Sequence, residues 1–118
     1  MEVLREYVMQ MSVHMWALEG DGWDNLQSEN FLAKYTPNAQ GHLAIHHDSS
    51  DITALVQLSD LDEYDGGGTW FRRQKQLLKN PIGYVTIHPG NITHKHGARA
   101  VTDGTRYIIV SFMKNPKR

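Results

Sequence analysis

The chain has 118 residues and no cysteine. Disulfides, thiolate metal sites and a cysteine nucleophile are therefore excluded. It has no excess of charge of either sign: twelve Lys and Arg stand against thirteen Asp and Glu, a formal net charge of −1. Binding of nucleic acid through bulk positive charge is not expected from that balance, although it is compatible with a local basic groove. No apolar run approaches the ~20 residues of a membrane span. The start, Met1-Glu2-Val3-Leu4-Arg5-Glu6, does not read as a signal peptide. The expectation is a cytoplasmic protein with no membrane partner. The length suits one domain over 1–118, and 40% hydrophobic with 21% charged residues is ordinary for a globular chain.

Histidine is what the chain has in abundance. Of seven histidines, six lie between residues 42 and 96. Histidine is the commonest metal ligand and the usual proton carrier near neutral pH.

Val3, Leu4, Tyr7, Val8, Met11, Met15 and Leu18 recur mostly at i, i+3 and i+4, which predicts an amphipathic helix over 3–18, ended by Gly20-Asp21-Gly22. Beyond residue 30 the period changes to two. Strands are predicted over 31–36, 42–46, 52–58, 69–72, 84–88, 92–94 and 105–112, with Pro37-Asn38, Gly66-Gly67-Gly68 and Pro89-Gly90 as punctuation. Short strands so spaced imply a β-sandwich or barrel.

His46 and Asp48, two apart at a strand end, share a face. They can bind one metal ion from adjacent corners. A third ligand must come from elsewhere, and His94 and His96 are the candidates. Two imidazoles and a carboxylate form the facial triad of non-haem Fe(II) oxygenases, which leaves positions open for substrate and dioxygen. Arg106 sits inside the most hydrophobic strand, on the face of Ile108, Val110 and Phe112. A guanidinium on a buried face needs an anionic partner. That partner is either one of the chain's own acids or the carboxylate of a small molecule, which its fork suits.

The order His46-His47-Asp48-Ser49-Ser50, Asp65-Gly66-Gly67-Gly68-Thr69-Trp70-Phe71, His88-Pro89-Gly90-Asn91-Ile92-Thr93-His94-Lys95-His96 and Gly104-Thr105-Arg106-Tyr107-Ile108-Ile109-Val110-Ser111-Phe112 resembles the Fe(II)- and 2-oxoglutarate-dependent dioxygenases. Within that superfamily it is similar to the catalytic domain of procollagen lysyl and prolyl 4-hydroxylases, over about Leu32 to Met113. Arg106 places it nearer the lysyl branch, since most prolyl 4-hydroxylases carry Lys there.

The resemblance implies a mainly β fold, a double-stranded β-helix or jelly-roll barrel over 31–113, buttressed by the helical segment 1–22. It implies His46, Asp48 and His96 as metal ligands and catalytic residues, with His96 preferred to His94 because it stands ten residues before Arg106. Arg106 and Tyr35 are the implied 2-oxoglutarate contacts, with Gln57 and Thr86 as weaker candidates. His42, His47, His88 and His94 are then not ligands. The implied chemistry is hydroxylation of an unactivated C–H bond of a peptidyl lysine or proline, with Fe(II), O2 and 2-oxoglutarate, ascorbate as reductant, and release of succinate and CO2. Leu55, Ile108 and Val110 are expected to line a dry chamber.

Members of the family usually carry more structure before the barrel, so the N-terminal helix must support it alone or through a homodimer. A metal- and 2-oxoglutarate-binding module without catalysis is a competing reading. So are a structural β-domain with surface histidines, and an oxygenase acting on a small molecule or nucleic acid. The run Arg72, Arg73, Lys75, Lys79 is either a solvated loop or a device that steers an acidic substrate.

Overall fold

A computed structural model of the chain describes residues 2–16, 22–23, 25–38, 43–91 and 93–117, with the side chains of 13–16 left aside. Among the described residues, helix α1 (Glu2–Trp16) is followed by ten strands. These are β1 (Gln27–Tyr35), β2 (Leu43–His46), β3 (Ile52–Gln57), β4 (Tyr64–Gly66), β5 (Thr69–Phe71), β6 (Gln76–Leu78), β7 (Val85–Pro89), β8 (His96–Ala98), β9 (Val101–Gly104) and β10 (Arg106–Lys114).

Two four-stranded antiparallel sheets carry the fold, in the orders β1-β10-β3-β7 and β2-β8-β5-β6; β4 and β9 form a small ribbon. Between β2 and β10 the chain passes repeatedly from one sheet to the other, which is the winding of a jelly roll. Strand β10 dictates much of this. Its β-branched and aromatic run is paired on both flanks, from Gln27↔Lys114 to Tyr35↔Arg106 on one side and from Met113↔Ile52 to Ile108↔Gln57 on the other. Period-two alternation buries Arg106, Ile108 and Val110 between the sheets, where they meet Tyr35, Leu55, Tyr64 and Val101.

The second core lies under the helix, where Val8 packs with Trp23, Leu26, Ile52, Ala54 and Met113, flanked by Leu4 and Met9. Only part of the expected helical stripe is used. Val3, Tyr7 and Met11 are exposed, because the i, i+4 row they form is turned away from the row of Leu4 and Val8. The predicted end of the helix at residues 17–21, with Leu18, Gly20 and Asp21, lies outside the described residues, as do the side chains of Met15 and Trp16.

Other boundaries differ instructively. The first strand begins at Gln27 rather than 31, since the polar Gln27-Ser28-Glu29-Asn30 is held by the ladder to β10. The strand expected over 92–94 is instead β8 over His96–Ala98; Thr93 and His94 are irregular and Ile92 is not described. The short strands β4, β6 and β9 were not predicted. Gly66, Gly67 and Gly68 all have positive φ (71°, 71° and 95°), which is why this turn takes three consecutive glycines.

Candidate metal centre and cosubstrate pocket

His46 closes β2 and is paired across the sheet with His96, which opens β8. The two rings lie 4.7 Å apart. Gly97 permits this approach, because a Cβ there would stand 2.7 Å from the Leu43 carbonyl oxygen. Asp48 follows two residues after His46, tied by its backbone N–H to the Gly90 carbonyl at 2.8 Å. Asp48 Oδ1 then lies 3.0 Å from His46 Nε2 and 3.3 Å from His96 Nε2. One donor atom from each of the three residues falls within 4.8 Å of the others.

The surroundings orient these atoms. His46 Nδ1 is 2.7 Å from the Ala44 carbonyl and His96 Nδ1 is 2.6 Å from the His94 carbonyl. A carbonyl only accepts, so each Nδ1 carries the proton and, in the neutral ring, Nε2 presents a lone pair to the centre. Thr53 Oγ1 donates to Asp48 Oδ2 at 2.7 Å, and Ser50, 2.7 Å from Thr53 Oγ1, completes the relay as donor. Two lone pairs and a carboxylate oxygen turned on one point are poorly placed for each other and well placed for a cation. The donor set, two nitrogens and one oxygen without sulfur, fits Fe(II).

Burial would raise the Asp48 carboxyl, but hydrogen bonding and charge from His96, with Thr53 and His88, hold it below its ordinary value. Burial would lower His96, and Asp48 overrides it, so the ring is raised. His88 is a third imidazole on the site. Its Nδ1 donates to the Pro89 carbonyl at 2.7 Å, its Nε2 lies 3.9 Å from Asp48 Oδ2, and burial pushes its pKa down to about 4. It stays neutral at pH 7. Phe71 packs against both His88 (5.1 Å) and His96 (5.4 Å).

Arg106 lies in the same pocket, 1% exposed. Nη2 donates to Thr69 Oγ1 at 3.1 Å, and the guanidinium lies 5.6 Å from the Tyr35 ring centre. Nε and Nη1 have no hydrogen-bond acceptor, and no carboxylate pairs with the guanidinium among the described residues. Of the two partners the sequence left open, an acid of the chain itself is thus not the one observed. Burial lowers the Arg106 pKa, while Tyr64 and Tyr35 beside it oppose that shift. Burial raises the Tyr35 phenol, Arg106 offsets part of the rise, and Asp48 adds to it.

The pocket joins these parts: His46, Asp48 and His96 at one end, Arg106, Tyr35 and Thr69 at the other, with Leu55, Ile108 and Val110 between them. Gln57 is buried on the same face of β3 as Leu55, with Oε1 lacking a partner among the described residues, but it does not line the pocket. Thr86 accepts from Asn80 at 3.0 Å and lines a separate cleft. His94 stands outside the cluster and serves it through its carbonyl; His47 is exposed, and His42 lies outside the described residues. Thr53, Ser50 and Thr69 were missed as site residues. The signal available was Thr53 sharing the period-two face of Leu55, and Thr69 standing beside the glycine turn.

No protein-family model matches the chain. The chain is 38% identical over 115 residues to the multifunctional procollagen lysine hydroxylase and glycosyltransferase LH3 of Rattus norvegicus, covering 96% of this chain and 15% of that protein. It is 36% identical over 112 residues to procollagen-lysine,2-oxoglutarate 5-dioxygenase 2 of Homo sapiens, covering 93% and 15%. The chain thus spans about a seventh of the length of these relatives. Among solved structures, a viral collagen prolyl hydroxylase from Paramecium bursaria Chlorella virus 1 superposes with a TM-score of 0.67 at 18% identity, covering 95% of this chain and 65% of that one, and shares the fold.

Proposed function

As the chain is a catalytic domain of the 2-oxoglutarate-dependent dioxygenase type, homologous to the procollagen lysine hydroxylases, we propose that it hydroxylates a peptidyl lysine or proline at an unactivated C–H bond. Lysine is the first choice, since the sequence relatives at 36–38% identity are named for it. The observation that carries the reading is the shared pocket: a two-histidine, one-carboxylate cluster at one end, with Asp48 and His96 buried and His46 half-buried, and at the other a buried guanidinium with two nitrogens lacking acceptors among the described residues.

His46, Asp48 and His96 would hold Fe(II). Bound there with 2-oxoglutarate, iron would supply the activation of dioxygen and the oxidative decarboxylation that yields succinate and CO2. The chain's own groups do the rest. Arg106 offers Nε and Nη1 to the far carboxylate of the keto acid, and Thr69 and Tyr35 keep the guanidinium in place. Fixing that end sets the orientation of the keto acid before reaction. Leu55, Ile108 and Val110 keep water from the space between. Ascorbate would act as an external reductant.

Purified protein with Fe(II), ascorbate and 2-oxoglutarate is to be offered lysine and proline peptides, reading succinate and a mass gain of one oxygen. His46→Ala, Asp48→Ala and His96→Ala should each abolish turnover. A charge-transfer colour with Fe(II) and 2-oxoglutarate but no succinate with any peptide would assign a binding module instead.

A further inference from the structure

We propose that the substrate bears a carboxylate side chain near the hydroxylated residue, and that a cationic groove at the metal end of the barrel receives it. The proposal rests on the peptide-hydroxylase reading above.

Strands β2 and β5 end at His46 and Phe71, and the antiparallel β8 begins at His96. The segments beyond these residues therefore emerge at one end of their sheet, beside the metal ligands. There His47, Arg72, Arg73, Lys75 and Lys95 line a surface groove with Thr93. Two of these, His47 and Lys95, are the chain neighbours of the two histidine ligands. Lys79, the fourth cation of the sequence run, lies elsewhere, 4.8 Å over the Tyr64 ring.

The groove is held in shape. The Arg72 N–H donates to the Lys95 carbonyl at 3.0 Å, and Gln74 Nε2 donates to the Thr93 carbonyl at 3.1 Å. These bonds tie the β5–β6 turn to the segment before His96. Lys75 sits at φ 53°, a left-handed conformation that a non-glycine side chain adopts at a cost. Its charge is also unneutralised: among the described residues Arg72, Arg73, Lys75 and Lys95 form no ion pair. In a chain of net charge −1, a cationic groove lies beside the segments that carry the two histidine ligands.

A lysine peptide arriving at this rim is repelled unless it brings negative charge of its own. Arginine forks match carboxylates, and a groove of this extent suits one or two of them. Among the described residues no Phe, Tyr or Trp ring lines the groove to stack a base, so a peptide acid is favoured over nucleic acid.

The test uses two lysine peptides that differ only in Asp/Glu against Asn/Gln beside the target lysine, and a fluorescent copy of each. Anisotropy with the whole chain, at ~50 and ~300 mM salt, reads binding without needing turnover. The acidic peptide should bind about tenfold more tightly at low salt, and the gap should close at high salt. Where peptides turn over, the difference should appear in KM rather than kcat. Arg73→Glu with Lys75→Glu, checked for an unchanged melting temperature, should erase the preference. Equal binding of both peptides at low salt would overturn the proposal, as would a preference that survives charge reversal. Displacement of the acidic peptide by a short oligonucleotide but by no excess of unlabelled acidic peptide would overturn it in favour of nucleic acid. Absence of succinate with every peptide would count against the hydroxylase reading and leave the anisotropy result to decide this one.

Discussion

Replacing Arg106 by Met should damage ligand binding while changing the stability of the ligand-free protein by no more than about 2 kcal/mol, a combination that a structural arginine would not give. The guanidinium is 1% exposed, and its compensation among the described residues is one hydroxyl, Thr69, the face of Tyr35 and the nearby Tyr64 phenol. Losing the neutral-acceptor bond costs about 1 kcal/mol. Losing the cation–π contact costs about 1–2 kcal/mol. Against these stands relief of a buried charge with no counterion, where well-packed apolar replacement of buried ionic groups has been worth about 1–4 kcal/mol. The net for Arg106→Met in the ligand-free state is therefore between about −2 and +2 kcal/mol, which moves the melting temperature by roughly 3–6 °C per kcal/mol in a domain of this size. Binding moves the other way. Two charge-assisted hydrogen bonds to a carboxylate, at about 1.5–3 kcal/mol each, set the loss of 2-oxoglutarate affinity at ~100-fold or more. Differential scanning fluorimetry with Mn(II), which occupies such a site without turnover, reads both quantities. Wild-type protein at a hundredfold excess of 2-oxoglutarate over Kd should gain about 2.7 kcal/mol, and the variant essentially nothing. If the variant keeps that thermal shift, or if its ligand-free form loses more than about 3 kcal/mol, Arg106 is a structural cation and the reasoning fails.

Thr53→Val removes the donor to Asp48 Oδ2 and should weaken metal binding about 10–100-fold by titration calorimetry. Gly97→Ala places a methyl 2.7 Å from the Leu43 carbonyl oxygen; parting β2 from β8 should cost about 1–3 kcal/mol of stability in urea, with loss of metal binding. Burial pushes folded His88 down to about 4, below its ordinary value of 6.5, so the unfolded chain holds more protons between those values and stability falls as the pH is lowered through that window. Full protonation removes about 3 kcal/mol from the metal-free protein, and a His88→Asn variant should show a correspondingly flatter denaturation profile from pH 7 to 4.5; an unchanged slope would refute the assignment.

The parts of the fold legible in the sequence are the strands with a sustained apolar run. β3, buried on both faces, and β10 read cleanly for that reason, and the alternation along β10 exposes Arg106 as out of place on an apolar face. β8 was placed four residues early. His96-Gly97-Ala98 has no strand propensity, and it pairs because a glycine lets β2 come close. β4, β6 and β9 are strands of three or four residues whose pairing is settled by the glycine turn and by distant neighbours. In the site, His46, Asp48, His96 and Arg106 were visible by residue type and order. The hydroxyls of Ser50, Thr53 and Thr69 were not, since a threonine on a strand carries no mark of what its oxygen meets.

The pocket's formal charges have one more consequence. Empty, it holds one carboxylate, Asp48, and one guanidinium, Arg106, and is electroneutral. A divalent ion alone leaves it doubly positive, and a dicarboxylate alone leaves it doubly negative, both in a buried space where uncompensated charge is costly. Filled by both, it is neutral again. The half-filled states are thus the disfavoured ones, so metal and 2-oxoglutarate should each tighten the other's binding by the same factor, loading as a pair.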